Sequence, residues 1–205
     1  MRDGDNIRNV AAFNPDYLGF IFFPQSPRYV GEDFRIPEEM PASIQRVGVF
    51  VNESTEEIVK KSGKFGLTHI QLHGNEPLEQ AMALKDSGLS VIKVFSIDDA
   101  FKFQLTKPFV PVVDFFLFDT KGTYHGGNAT KFNWDVLKHY DQEVPFFLSG
   151  GLSAENVREI VSLEGMNLFA LDVNSGVEER PGYKSLKKLQ EFVDSIGETK
   201  IIRTM

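Results

Sequence analysis

The sequence predicts an α/β fold in which short buried strands alternate with helices, and three observations support this prediction. Seven apolar runs of strand length, rich in β-branched and aromatic residues, cover residues 17–23, 46–51, 68–72, 90–95, 114–118, 145–149 and 167–171. Segments with helical spacing of apolar residues separate these runs. The length of 205 residues fits one domain, 1–205, because domains usually contain roughly 100–250 residues.

The seven runs are predicted to form a parallel sheet. They are too apolar to be half exposed, and strands of parallel sheets are covered by helices on their faces. The alternation of strands with helical segments indicates repeated βα units, which also favour parallel pairing.

The helices are predicted from their start signals and apolar spacing. The start STEE at Ser54 resembles a capped helix that runs to Lys64. Pro37 and Pro41 interrupt the pattern after Gly31, so only a short or irregular helix is expected there. The remaining helical segments are predicted at 3–13, 77–86, 98–105, 133–139, 153–161 and 185–196.

The order of these elements predicts a TIM (β/α)8 barrel. Such a barrel has eight strands and roughly 200–250 residues, which agrees with the length of the chain. The chain opens with the helical segment 3–13, however, and no strand precedes it. We therefore expect a barrel whose first strand is missing from the chain as given.

Composition excludes several classes of function. The net charge of −7 argues against nucleic acid or an anionic membrane as partner, because both attract a basic surface. No stretch approaches the roughly 18 apolar residues of a membrane span or resembles a signal peptide, so a cytoplasmic location is expected. Cysteine is absent, and no group of His, Asp and Glu has the spacing of a metal site, so no metal is predicted.

Glycine-rich turns after the last two strands predict a phosphate site. In a barrel the active site lies at the carboxyl ends of the strands, and phosphate is commonly bound after the last two. Glycines there let backbone N–H groups approach the anion closely. The candidates are Gly150, Gly151, Asn174, Ser175 and Gly176.

Asp119 and Asp172 are the candidate acid–base residues, because each follows a predicted strand. A carboxyl group near its reference pKa of about 3.9 is almost fully ionised at pH 7, so acid catalysis requires a raised pKa. Two carboxylates in unlike surroundings can divide the roles of acid and base. The alternative is that Asp119 only caps the turn that follows.

Three basic residues are further candidates for ligand contacts. Arg28 follows a proline-containing loop and either binds a substrate carboxylate or is a surface arginine. His73 is expected to donate a hydrogen bond to the substrate rather than to shuttle protons. Lys93 lies inside a predicted strand, where it forms a Schiff base, helps to hold an anionic ligand or points outward.

Six segments together closely resemble the phosphoribosylanthranilate isomerase family of tryptophan biosynthesis. They read GFIFFPQSPRYV, RVGVFVN, IQLHGNE, FLFDTKGTYHGG, FLSGGL and LDVNSGVE. The resemblance extends from about Asp3 to the last helix and implies an Amadori rearrangement of N-(5-phosphoribosyl)anthranilate that needs no cofactor.

The resemblance also implies roles for individual residues. Asp119 is similar to the general acid of the family, which protonates the ring oxygen of the ribose so that the ring opens to a Schiff base. Arg28 is similar to the residue that holds the anthranilate carboxylate, and Asp172 to a second aspartate that orients the substrate. The five phosphate-site candidates align with the phosphate site of the family.

Two departures from the family qualify this expectation. The loop from Gly126 to Lys131 has Ala129 where the family often has glycine. Members of the family also open with a strand and a motif resembling K-x-C-G-M-R, whose cysteine acts as the general base. This chain begins at the position of the last two residues of that motif, as if it started at an internal methionine, and it contains no cysteine.

The missing base and strand predict a nearly inactive polypeptide. Loss of a positioned general base typically costs on the order of 10²–10⁴ in rate. Strands 17–23 and 167–171 would flank the gap with unpaired edges, which predicts lower stability or self-association. The alternatives are a non-catalytic barrel that binds a phosphate ligand, or a related sugar-phosphate enzyme such as indole-3-glycerol phosphate synthase or an aldolase that uses Lys93.

Overall fold

A curled sheet of seven parallel strands forms the centre of the structure. The computed structural model describes residues 1–120 and 134–197. The strands follow one another in the sheet in chain order, and every neighbouring pair is parallel. They are β1 (Tyr17–Ile21), β2 (Gln45–Phe50), β3 (His69–Leu72), β4 (Ser90–Ile97), β5 (Phe115–Thr120), β6 (Phe146–Ser149) and β7 (Leu168–Leu171). The predicted α/β fold and its seven strands are thereby confirmed.

The short or irregular helix expected after Gly31 is absent, because residues 31–44 contain turns but no helix. Among residues 1–120 and 134–197 the structure has four α-helices. These are α1 (Gly4–Ala11), α2 (Thr55–Phe65), α3 (Leu78–Asp86) and α4 (Leu186–Gly197). Ser54 caps α2 as predicted, because its side chain accepts a hydrogen bond from the Glu57 N–H at 3.2 Å. Gly66 ends the helix in the left-handed conformation, at a φ of 60°.

The other connections differ from the α-helices predicted at 98–105, 133–139 and 153–161. They contain 3₁₀-helices instead, at Phe103–Val112, Trp134–His139 and Val157–Leu163. In the first of these, Pro108 and Pro111 lie inside the helix. Because proline lacks an N–H and clashes with the preceding turn, this segment cannot continue as an α-helix.

A short hairpin near the carboxyl terminus was not predicted from the sequence. After the 3₁₀ turn Ser175–Val177, strand β8 (Glu178–Arg180) pairs antiparallel with β9 (Tyr183–Lys184). Gly182 lies in the turn with a φ of 81°, a conformation that favours glycine. The hairpin is too short to give the alternating pattern on which sequence-based prediction depends.

The two faces of the sheet carry different cores. The inner, concave face has a small cluster made of Val47, Ile92, Val94, Leu117 and Phe147. A much larger core fills the space between the outer face and the helices. Since successive side chains of a strand point to opposite faces, the small cluster identifies which residues point inward.

Strands β1 and β7 form the two edges of the sheet. Within residues 1–120 and 134–197, neither pairs with a second strand, as expected for the segments 17–23 and 167–171. Their side chains still meet on the inner face, where the rings of Tyr17 and Phe169 lie 6.2 Å apart. In this part of the chain no helix has the length and apolar character that a membrane span requires.

Candidate functional site

The strand register places the candidate acid–base residues at one end of the inner face. Asp119 lies two residues after Leu117, and Ser149 lies two residues after Phe147, so both point to the same side as the inner core. Asp119 is also directly opposite Ser149 in the register of β5 and β6. The predicted site at the carboxyl ends of the strands is therefore built from neighbouring positions.

Asp119 faces His73 across this end of the sheet. The distance from Asp119 Oδ2 to His73 Nε2 is 3.7 Å, and the two side chains are 30% and 36% exposed. Gln71 lies on the other side of the ring, with its Nε2 atom 3.0 Å from His73 Nδ1. When the Gln71 amide donates to Nδ1, neutral His73 carries its proton on Nε2 and presents an N–H to Asp119.

Asp172 is the second carboxylate of the site, and its surroundings differ from those of Asp119. The Ser149 hydroxyl donates to Asp172 Oδ2 at 3.2 Å. Burial raises the pKa of Asp172, and the nearby Asp119 adds to this effect, against the opposing influence of Lys184 and the Ser149 hydrogen bond. Such an unlike pair of carboxyl groups is suited to dividing proton transfer from substrate orientation.

The two predicted phosphate segments lie against each other. Gly150 and Gly151 have φ angles of 98° and 64°, which a side chain would strain. Gly176 is constrained by space instead, because a Cβ atom there would lie 1.9 Å from the carbonyl oxygen of Leu152. The loop after β7 therefore packs against the loop after β6, and glycine permits this contact.

Arg28 reaches the same region from the loop after β1. It is not a freely exposed arginine, because its side chain is 24% exposed and bonded to Glu178. The Nε atom donates to Glu178 Oε1 and Oε2 at 3.1 and 2.9 Å, and Nη2 donates to Oε2 at 2.7 Å. The structure gives no hydrogen bond from Nη1 to any described residue, so this nitrogen can meet a ligand.

Lys93 lies on the outer face and does not belong to this site. Its neighbours Ile92 and Val94 are in the inner core, so its own side chain points the other way. There Lys93 Nζ donates to Glu76 Oε2 at 2.6 Å and to the carbonyl oxygen of Gly74 at 2.8 Å. This position contradicts an aldolase that uses Lys93 and agrees with an outward lysine.

Three buried charged side chains were missed by sequence reasoning, and two of them belong to the candidate site. These two are Glu178 and Lys184, which contact each other, whereas Glu76 binds Lys93 on the outer face. Lys93 offered a signal, since a lysine inside an apolar strand requires a buried partner. Glu178 and Lys184 lie on the unpredicted hairpin, so nothing in the sequence pattern placed them in the site.

One sequence observation lies outside the part of the chain that the structure describes, and a second concerns metal sites. The loop from Gly126 to Lys131, including Ala129, lies outside the described residues. Among residues 1–120 and 134–197, no group of three or more His, Cys, Asp or Glu side chains could hold a metal ion.

A family model and the sequence relatives agree on the family of this chain. A family model described as N-(5'-phosphoribosyl)anthranilate (PRA) isomerase matches residues 1–195. The N-(5'-phosphoribosyl)anthranilate isomerase of Phocaeicola vulgatus is 43% identical over 196 residues, which cover 96% of this chain and 94% of that protein. The same enzyme of Parabacteroides distasonis is 40% identical, with coverage of 96% and 90%.

Solved structures agree with the sequence relatives. Phosphoribosyl anthranilate isomerase from Thermotoga maritima superposes with a TM-score of 0.83 at 30% identity, covering 97% of this chain and 96% of that one. A phosphoribosyl anthranilate isomerase bound to reduced 1-(o-carboxyphenylamino)-1-deoxyribulose 5-phosphate gives a TM-score of 0.81 at 29% identity, with coverage of 97% and 95%.

Proposed function

Since the chain belongs to the N-(5'-phosphoribosyl)anthranilate isomerase family of tryptophan biosynthesis, we propose that Asp119 is its general acid and N-(5'-phosphoribosyl)anthranilate its substrate. The reaction is an intramolecular redox rearrangement. Protonation of the ring oxygen breaks the bond to C1' and gives a Schiff base. Removal of the C2' proton then leads, through an enolamine, to the 1-amino-1-deoxyketose.

The observation that carries this proposal is the position of Asp119. Its carboxylate is at the end of an inner strand, is partly exposed and faces His73 at 3.7 Å. No described residue makes a hydrogen bond to it, so it is available to a ligand. Asp172, by contrast, is held by Ser149 at 3.2 Å, which suits a residue that orients the substrate.

The other proposed contacts follow from the same geometry. Arg28 binds the anthranilate carboxylate, and His73 donates a hydrogen bond at the reacting end. The phosphate is bound by the glycine segments, which are suited to backbone N–H contacts. These contacts come from Gly150, Gly151, Asn174, Ser175 and Gly176.

The location and partners that we expect are those of an enzyme that acts on a small molecule. We place it in the cytoplasm, where amino-acid precursors are made, without nucleic acid or membrane as partner. The low activity expected of this polypeptide stays a prediction, as does self-association through the edges of β1 and β7. Light scattering at several protein concentrations measures the second of these.

The experiment that tests the proposal compares binding with turnover. Wild-type protein is incubated with N-(5'-phosphoribosyl)anthranilate, and the product is quantified by chromatography. The reduced compound found in the homologous complex, here called the reduced analogue, is titrated by calorimetry. Asp119→Asn is expected to bind the analogue normally but to lose on the order of 10²–10⁴ in rate.

The control variant is Asp86→Asn, which removes an exposed carboxylate at the end of α3, near the start of β4 rather than its carboxyl end. It is expected to match the wild type in both measurements. Equal turnover by the wild type and Asp119→Asn would contradict the acid role. A low but measurable turnover by the wild type that Asp119→Asn loses would favour the enzyme over the non-catalytic phosphate-binding alternative.

A further inference from the structure

Glu178 lies between the two cations that approach the ends of the ligand site. Its carboxylate accepts three hydrogen bonds from Arg28 at 2.7–3.1 Å and one from Lys184 Nζ at 3.3 Å. The backbone N–H of Gly182 donates to Oε1 at 3.0 Å. The Glu178 side chain is only 5% exposed, so one buried carboxylate organises both cations.

Lys184 continues this network to the phosphate segment. Its Nζ donates to the carbonyl oxygen of Asn174 at 2.9 Å and to Asn174 Oδ1 at 2.6 Å. The Lys184 backbone is itself fixed, because Asn6 accepts from its N–H at 2.8 Å and donates to its carbonyl oxygen at 2.9 Å. Lys184 therefore connects a rigid hairpin to the first residue of the Asn174–Gly176 turn.

The positive charges of Arg28 and Lys184 favour the ionised form of Glu178. Burial raises its pKa, but the hydrogen bonds from Arg28 and the charge of Lys184 outweigh this effect and hold the pKa below its usual value. The negative charge of Glu178 thus faces two cations, Arg28 and Lys184.

We propose that Glu178 is a positioning residue that couples the two ends of the ligand site. It orients the Arg28 guanidinium so that Nη1 faces the ligand carboxylate. Through Lys184 it holds Asn174, and with it the turn that binds phosphate. This inference rests on the proposed function, because it uses the ligand carboxylate and phosphate assigned there.

The test measures the affinity of the reduced analogue, which carries both a carboxylate and a phosphate. Calorimetric titrations at pH 7 compare the wild type with Glu178→Gln, and with Glu179→Gln as an exposed neighbouring control. Glu178→Gln is expected to weaken binding about 10-fold or more, which is the size of a typical coupling between sites. Glu179→Gln is expected to bind like the wild type.

A double-mutant analysis separates coupling from a simple role in holding Arg28. Arg28→Gln removes the contact at the carboxylate end, and Asn174→Ala removes the link at the phosphate end. If Glu178 acts through both ends, adding Glu178→Gln to either single variant weakens binding further. If Glu178→Gln adds nothing to Arg28→Gln, the coupling to the phosphate end is refuted.

A folding check and a second variant separate a loss of folding from a loss of positioning. Far- and near-ultraviolet circular dichroism checks that each variant is folded, and Glu178→Asp replaces Glu178→Gln in the same scheme if the latter does not fold. An aspartate keeps the charge but is one methylene shorter, so it cannot reach both cations. Failure of the wild type to bind the analogue would refute the proposed function, whereas normal binding by folded Glu178 variants would refute this inference alone.

Discussion

Removal of the Glu76 carboxylate is expected to destabilise the protein strongly, because it breaks a buried ion pair. The side chains of Lys93 and Glu76 are 5% and 0% exposed, and their charged atoms lie 2.6 Å apart. Breaking a buried pair by removing one partner typically costs about 3–5 kcal/mol, since it leaves the other charge buried. For a chain of this length this corresponds to a decrease in Tm of roughly 6–20 °C.

Removal of the Lys93 ammonium is expected to destabilise the protein less than removal of the Glu76 carboxylate. After Lys93→Met, the Glu76 carboxylate still accepts from the N–H groups of Asn52 and Gly74 at 2.8–2.9 Å. After Glu76→Gln, the Lys93 ammonium retains the Gly74 carbonyl oxygen and the Phe109 ring. We therefore expect Lys93→Met to cost only about 1–3 kcal/mol. The double variant should lose less than the sum of the two single variants.

The pH dependence of this loss follows from the pKa of Glu76. Burial raises this pKa, but the Lys93 hydrogen bond and the backbone N–H groups outweigh it, so the folded-state pKa lies below 4.5. A lowered carboxyl pKa gives stability that is present above the unfolded value and is lost as pH falls through the folded value. The difference between wild type and Glu76→Gln should therefore be largest at neutral pH and shrink in acid.

Urea unfolding measures these free energies directly. The single tryptophan, Trp134, is 8% exposed, so its fluorescence reports on unfolding. Glu79→Gln is the matched control, because Glu79 is exposed on α3 and should change stability by less than about 0.5 kcal/mol. A loss below about 1 kcal/mol for Glu76→Gln, or a larger loss for Lys93→Met, would refute this reasoning.

Two further predictions concern the site itself. Because the pKa of Asp172 in the folded state is raised above 3.8, ionisation of Asp172 lowers the stability of the protein as pH rises. Asp172→Asn should therefore be about 0.5–2 kcal/mol more stable than the wild type in urea unfolding at pH 7. An equal gain in stability at pH 3 would contradict this cause. Gly176→Ala should weaken binding of the reduced analogue on the order of 100-fold in calorimetry. The reason is that the new Cβ atom would lie 1.9 Å from the carbonyl oxygen of Leu152, so the turn would have to move away. Unchanged affinity would show that the turn does not bind the phosphate.

Strands and capped helices could be predicted because their signals are local. Each strand is a short apolar run, and Ser54 marks the start of α2 by a contact with the N–H three residues later. The choice between α- and 3₁₀-helix is less local, since it depends on how the connection packs between strands. Only Pro108 and Pro111 gave a visible reason for the 3₁₀-helix at Phe103–Val112.

The candidate site was predictable where residues follow strands directly. Asp119, His73 and Asp172 lie at strand ends, and their positions follow from the order of the sheet together with side-chain alternation. Glu178 and Lys184 were not predictable, because they reach the site through a hairpin whose five strand residues carry no strong pattern. Glu178 contacts Arg28, which lies 150 positions earlier in the chain, and Lys184 is linked to Arg28 through Glu178.

In the proposed site, the contact with Glu178 affects how Arg28 attracts and binds an anion. Glu178 already offsets part of its charge, so Arg28 attracts a distant anion less than a free guanidinium would. The Arg28 side chain is, however, ordered before the ligand binds, which lowers the entropic cost of binding. In a protein with a net charge of −7, long-range attraction of an anion is weak in any case. A site of this kind selects its ligand by the placement of donors, and in the proposed arrangement Glu178 determines this placement for Arg28.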